Sequence, residues 1–371
     1  MRTLLFVLCL STLLVAAAHA GDSLNVRLVG ACDTPDSAHG VAVDGDYAYV
    51  ADCDSGLRVI SVADIANPVE VGYCNSPAAA WGVALSSNVA CVADDASGLR
   101  VVSVADPANP AEVGYCDTPG TARAVVVSGG HAYVVDRGSG LRVISIADPT
   151  HPTEVGYCFI PSYALDVAVS GDYAYVAAHG GGLRIISVAD PAHPVEVGYY
   201  YSLGPVWGVA VAGDYVYIAD YVAGLRVISV ADPEHPVEVG YCDTPNHSCR
   251  VAVSGDYAYV ADYQGGLRVV SVRDPANPVE TGYYDEFVTV GICVAGNYAF
   301  AAEGRAGLRI YEFYGDGIEE TGGGRNSDCP TDADGCAWRP VPARSHRPQA
   351  SCSMPSEHER AESVGPSCRR E

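Results

Sequence analysis

Short apolar runs recur along this chain in groups of four. In the first group they are "GVAVDG" from Gly40, "YAYVAD" from Tyr47, "LRVISV" from Leu57 and "PVEVGY" from Pro68. Each is rich in Val, Ile and Tyr and is bounded by turn residues, which predicts four β-strands. Gly45-Asp46 and its counterparts Gly171-Asp172 and Gly255-Asp256 suit a tight hairpin that needs positive φ. The "ADPANP" segment from Ala105 to Pro110 carries two prolines that cannot donate ladder bonds, so it must connect strands. The runs are almost continuously apolar rather than alternating, which predicts sheets covered on both faces.

The period decides the fold. The glycine of "GLR" falls at Gly56, Gly98, Gly140, Gly182, Gly224, Gly266 and Gly307, in steps of 42 residues with a last step of 41. A four-stranded unit of that length, repeated radially, is a β-propeller blade. Six units are complete, whereas the seventh begins at Gly291, runs through "GLRIYEF" and lacks its fourth strand. The segment "VRLVGACDTP" at Val26 to Pro35 is the end of a repeat without its beginning. Val26 to Gly30 therefore completes the last blade and closes the ring, protecting edges that an open sheet would expose. The fold class is all-β: one seven-bladed β-propeller from Val26 to about Phe313, with almost no helix.

The repeat text "GLRVISVADPANPVEVGY" resembles the LVIVD-repeat family, through its spacing, its Asp-Pro turn and its VxVG strand. The resemblance covers about Val26 to Phe313. One departure is serine where the family pattern ends in aspartate, at Ser61, Ser103, Ser145, Ser187, Ser229 and Ser271. The resemblance implies an exported or surface-displayed propeller and does not imply one activity.

Composition adds a compartment. Residues 1–20 pair a positive start with a short apolar run and an Ala-His-Ala site before Gly21, the pattern of a cleaved secretory signal. That run is short for a bilayer span, and no later segment would span one. Secretion, the periplasm or the cell surface is the expected location. The propeller occupies 21–314. From 315 to 371 the periodicity stops and the composition turns to Arg, Pro, Ser, Cys and Gly, which reads as a disordered tail or as a frameshift. The net charge is −24 and all 21 basic residues are arginine. Lysine-dependent chemistry is thereby excluded, and nucleic acid and anionic membranes should be repelled. A monomer is expected.

Two repeat positions carry charge. Arginine fills one: Arg58, Arg100, Arg142, Arg184, Arg226, Arg268 and Arg309. Acids fill the other, at the end of the second strand: Asp52, Asp94, Asp136, Asp220, Asp262 and Glu303, with Ala178 in the fourth unit. They flank one hairpin loop, which predicts a ring of structural Arg–carboxylate pairs rather than metal ligands, and leaves Arg184 free. No resident cofactor or metal is predicted, although the acidity would suit calcium and "DCDSG" at Asp52 to Gly56 faintly resembles a calcium loop. Cys32, Cys74, Cys116, Cys158 and Cys242 end outer strands of different blades, too far apart to bridge. Cys242 and Cys249 are the one pair that could meet across a single loop. His151, His193 and His235 belong to the Asp-Pro turns. No nucleophile elbow, metalloprotease helix, phosphate loop or Cys-x-x-Cys pair is present.

The blades differ from one another on one face. One variable set precedes each innermost strand and includes His39, Trp81, Arg123, Trp207 and Cys249; the other follows the acid and includes Arg137, His179, Tyr221 and Tyr263. Loops on a rigid scaffold are the usual place for binding residues. His39, Trp81, Arg123, Arg137, Tyr163, His179, Trp207, Tyr221 and Tyr263 are the candidate binding residues, for a peptide, a glycan or a partner protein. Two rival readings stay open. One is a hydrolase or lyase at the channel mouth, for which His179 is the most suggestive residue and no second catalytic group can be named. The other is a purely structural repeat protein.

Overall fold

A computed structural model describes residues 23–315; the leader, the tail and the readings placed on them lie outside these residues. Among the described residues there is no helix, and the strands form seven sheets arranged as blades. The first blade runs antiparallel through Gly40–Asp44, Tyr47–Ala51, Leu57–Ser61 and Val69–Cys74. The first strands of successive blades neighbour one another around the axis, and Gly291–Ala295 returns to Gly40–Asp44. The seventh sheet is completed by Val26–Cys32, paired antiparallel with Leu308–Phe313 from Val26 opposite Phe313 to Cys32 opposite Leu308. Ring closure by the N-terminal segment is thus formed as the repeat arithmetic predicts.

Burial follows the position of each strand. Tyr47–Ala51 and Leu57–Ser61 are buried along almost their whole length, which is why they read as continuous apolar runs. The outermost strand alternates instead, and Val69 at its start is 58% exposed. Seven clusters of buried side chains form the core, and each joins two adjacent blades. Ala48, Val50 and Ile60 of the first blade, for example, pack on Phe300, Leu308 and Ile310 of the last. Glycine in the outer strand permits this approach: a Cβ on Gly72 would meet the carbonyl oxygen of Pro107, in the Asp-Pro turn of the next blade.

One pairing has no precedent in the repeat. Ser23–Leu24 adds a fifth strand to the sixth blade, with Ser23 opposite Tyr284 and Leu24 opposite Tyr283. Asn25 then turns the chain at φ 54° and donates its side-chain amide to Thr281 O at 2.8 Å. The N-terminal segment therefore ties blades six and seven together. Deleting residues 23–32 should abolish cooperative unfolding or leave the protein insoluble, because Tyr311 and Leu308 lose their cover. A truncated protein that melts like the parent in calorimetry would overturn closure.

Candidate functional site

The site rests on a charged ring. Each arginine of the third strand is nearly buried and needs compensation. Its common partner is the glutamate of the adjacent outer strand: Arg58–Glu70 at 3.5 Å, Arg100–Glu112 at 3.7 Å, Arg142–Glu154 at 3.4 Å, Arg184–Glu196 at 3.2 Å, Arg226–Glu238 at 3.8 Å and Arg268–Glu280 at 3.8 Å. A tyrosine covers six of the guanidinium groups, as Tyr73 covers Arg58 with 4.8 Å to the ring centre, and Phe287 covers Arg309 at 5.1 Å. The pairs expected with the strand-end acids are looser. Arg58–Asp52 and Arg100–Asp94 lie at 3.8 Å, and Arg142–Asp136 and Arg226–Asp220 at 3.9 Å, through Nε atoms that make no hydrogen bond. Arg268–Asp262 and Arg309–Glu303 are not formed; Arg268 uses Glu280, and Arg309 uses Asp33 at 2.9 Å. Arg184 is not free, since it holds Glu196 and donates to Tyr201 Oη at 3.3 Å.

The acids hold loops rather than arginines. Asp52 accepts from Thr34 Oγ1 at 2.6 Å and from the Asp36 N–H at 3.0 Å, which pins the loop arriving from the previous blade. Asp262 is bound in the same way by Thr244 at 2.6 Å and the Asn246 N–H at 2.8 Å, and Asp220 by Ser202. In the fourth blade Ala178 replaces the acid and Ile160 replaces the hydroxyl residue, and both are fully buried in one apolar cluster. The two members of a buried polar pair have been exchanged together, which leaves neither unsatisfied.

Above this ring, backbone bridges link one blade to the next at six of the seven junctions. At these junctions the residue after the second strand exchanges hydrogen bonds with the loop entering the following blade, as His179 N–H does with Val206 O at 3.0 Å and Val206 N–H with His179 O at 3.1 Å, whereas Arg137 only accepts from the Ala164 N–H at 2.9 Å. The geometry demands positive φ: 43° at Cys53, 38° at Asp95, 44° at His179, 44° at Tyr221, 49° at Tyr263 and 52° at Gly304. Bulky residues there cost on the order of 1 kcal/mol each.

Three of these strained positions, His179, Tyr221 and Tyr263, join rings from the entry loops in one band. Arg137 lies over Tyr163 at 4.7 Å, and Tyr163 neighbours His179 at 6.4 Å. His179 meets the edge of Trp207 at 5.8 Å, and Trp207 stacks on Tyr221 at 5.6 Å. Tyr221 then stacks on His247 at 4.1 Å, which is 6.3 Å from Tyr263. A second group places Arg123 over Trp81 at 4.0 Å and His39 beside Trp81 at 4.3 Å. The structure thus sorts the candidate residues into one band of six blade-bridging rings and one triplet. His247 was missed; its signal is an aromatic residue in a loop already marked as variable. The indole Nε1 groups of Trp81 and Trp207 are shielded from solvent and have no hydrogen-bond partner.

The channel wall holds an ion pair that was also missed. At a position of glycine or alanine in the other blades stand Asp166 and Arg250, and they pair across the intervening blade five, where Asp166 also accepts the Val209 N–H at 3.0 Å. Burial, then Arg250 and Arg123, lower the pKa of His39 to about 4, against the opposing charge of Asp36. Burial, then Arg137, lowers that of His179. Cys242 and Cys249 are both free thiols. Cys242 ends an outer strand with its Sγ by Asp243 O, whereas Cys249 lies beside the innermost strand with its Sγ 3.3 Å from His247 O, so the loop that joins them spans the blade. Among the described residues one group could supply three metal ligands, Asp36, Cys53 and Asp54, with ligand atoms within 4.8 Å. Burial raises the Cys53 thiol and disfavours the ligating thiolate.

Two outcomes follow from the ring. Ala178→Asp should destabilise by about 2–4 kcal/mol, by burying a carboxylate without its donor. Adding Ile160→Thr should recover at least about 1 kcal/mol in a double-mutant cycle; additive losses would break the coupling. Glu303 is 3% exposed and its burial raises its pKa to about 7, against hydrogen bonds from Tyr311 at 2.5 Å and Thr289 at 3.1 Å. The folded state therefore holds a proton that the unfolded state releases above the ordinary value of 4.5. Its stabilisation is complete below that value and is lost as pH rises to about 7, by up to about 3 kcal/mol. Glu303→Gln should flatten the denaturation midpoint against pH across this window; an unchanged slope would refute the shift.

The comparisons with known proteins agree with the architecture. The WD40 β-propeller domain of Doa1 superimposes with a TM-score of 0.64 at 8% identity, covering 77% of this chain and 97% of that one. The β-propeller domain of Myceliophteria thermophila Cps50 (Swd1) gives 0.63 at 11% identity, covering 77% and 99%. BamB from Moraxella catarrhalis gives 0.56 at 13% identity, covering 78% and 98%. At these identities the likeness shows the fold alone. The comparison with curated proteins gives no match. The LVIVD repeat matches residues 35–76, 77–118, 119–159, 161–202, 203–244 and 245–286, and on that repeat text and its seven-bladed ring the chain belongs to the LVIVD-repeat β-propeller family.

Proposed function

We propose that this protein is an interaction module, exported or displayed at the cell surface, that holds a ligand on its variable face. The band from Tyr163 to Tyr263 carries the reading. At the position after the acid the seventh blade has Gly304, which suits a left-handed backbone, yet the fourth, fifth and sixth blades place His179, Tyr221 and Tyr263 there. Structure alone does not call for these rings, since glycine makes the same backbone bridge with Ala38. Their strain is accepted on the face where rings can contact a ligand. The exported location rests on the leader pattern of residues 1–20. The enzyme reading has less support, because His179 is surrounded by Tyr163, Trp207 and the cation Arg137 and forms no side-chain hydrogen bond.

Tyr221→Gly with Tyr263→Gly should leave the melting temperature within a few degrees, because relief of positive φ offsets lost ring packing. The same pair should weaken binding of any ligand found by screening oligosaccharides and display peptides by at least tenfold. Emission from Trp81 and Trp207 reports occupancy directly. A ligand bound equally by the variant, and lost instead on changing the Asp-Pro turns, would move the site to the opposite face. Turnover lost in His179→Ala would establish the enzyme.

A further inference from the structure

Departures from the repeat gather around one blade. The first residue after each outer strand is Asp33, Asn75, Asp117, Asp243 or Asp285 in five loops, and Phe159 and Tyr201 in the loops on either side of blade four. Two residues later the usual proline, such as Pro35 or Pro245, is Leu203. The hairpin position held by Asp54, Ala96, Gly138, Gly180, Gln264 or Arg305 elsewhere is Val222. Inside the same blade the acid and hydroxyl have become Ala178 and Ile160. Large apolar side chains have thus gathered at neighbouring positions of one sector, two of them, Phe159 and Tyr201, in place of the acidic or polar residue of the other loops.

The replacements outside the core are exposed: Phe159 62%, Tyr201 60%, Leu203 89% and Val222 61%, with Tyr163 at 51%. Scattered apolar residues on a surface need no explanation, but a concentrated patch does. Within the sector lies a concavity of about 570 Å3, walled by Phe159, Pro161, Tyr163 and His179 with Ile160 in its lining. Its walls are mostly apolar, with few groups for the converging hydrogen bonds that a sugar requires. Arg137 over Tyr163 sets a cation beside it. In a chain of net charge −24, this sector has lost acids and kept an arginine.

We infer that this sector is a docking site for an extended polypeptide of a partner protein, which inserts one large apolar side chain between Phe159, Tyr163 and His179 and places a nearby carboxylate on Arg137. The inference rests on the binding reading of the variable face and narrows it to blade four and its entry loops. A pocket for one anchor side chain, ringed by exposed apolar contacts, is the usual form of an interface hot spot. Tyr201 serves two roles: its hydroxyl accepts from Arg184, and its ring packs edge-on with Tyr199 at 5.0 Å.

The test is selection from a random dodecapeptide display library on the purified full chain, followed by titration of synthetic winners by fluorescence anisotropy. Winners should share a Trp, Phe or Leu anchor with Asp or Glu within three residues. The pair Phe159→Asp with Tyr201→Asp restores residues that the other loops already use, so folding is retained and checked by calorimetry. Binding should fall at least tenfold in that pair and about threefold or more in Arg137→Gln, while Asn75→Asp at the same repeat position changes nothing. Winners without an apolar anchor, or a library without winners, would overturn the proposal. So would oligosaccharide binding that the same pair abolishes. Binding lost in Trp81→Ala but kept in the aspartate pair overturns the sector and leaves the face standing. Indifference to both removes the face as well.

Discussion

Among the described residues every buried cluster is shared by two blades, and the rest of the structure depends on that constraint. A single four-stranded sheet of this sequence would expose Val50 and Ile60 on one side and Leu57 and Val59 on the other, because neighbours cover both faces. Stability is therefore a property of the closed ring, with each blade contributing half of two cores. This explains why the N-terminal segment completes the last sheet and also laces blade six with Ser23–Leu24. It also explains the rigidity of the variable face, where the backbone bridges run from His179–Val206 to Gly304–Ala38 around the ring.

Burial of a guanidinium beside each core is the second organising fact. An arginine in such a place costs several kcal/mol unless its charge and its donors are met. The outer-strand glutamate meets the charge, the tyrosine covers the plane, and the strand-end acid adds a distant field while it pins the incoming loop. Blade four shows which of these parts are separable. It keeps Arg184, Glu196 and Tyr199 but discards the acid and the hydroxyl together, so the loop anchor is an independent unit.

The fold was legible because a period of 42 residues leaves little freedom: strand number, turn placement and the missing fourth strand all follow from alignment of the chain with itself. The Arg–acid ring was legible only in part. Asp52 and Arg58 flank one hairpin and so read as partners, whereas Glu70 lies on the next strand and reaches the same arginine because the ladder puts it opposite Ile60, two positions from Arg58 on one face. Ser23–Leu24 gave no signal, since two residues carry no periodicity. Cys242 and Cys249 do not meet for a radial reason: the single loop between them crosses from the rim to the channel. Among the candidate binding residues, nearness in repeat position correctly implied nearness in space, while the stack of Tyr221 on His247 depends on side-chain direction that the text does not contain.

A repeat chain is its own reference, and each departure from its pattern asks for a cause. Asp166 and Arg250 show why departure alone does not mark a binding site: they replace small residues in the channel wall, but they satisfy each other and brace blades four to six. Ala178 with Ile160 is likewise a closed exchange, buried and complete within the blade. Phe159, Tyr201, Leu203 and Val222 differ in kind. Phe159 and Tyr201 have left an acidic or polar position, Leu203 a proline and Val222 a mixed hairpin position, and each is at least 60% exposed, so burial within the described fold offsets little of that cost. Where a departure is satisfied inside the molecule it belongs to the scaffold; where its cost remains exposed, a contact from outside is what would offset it, and this is the ground on which the proposed docking site rests.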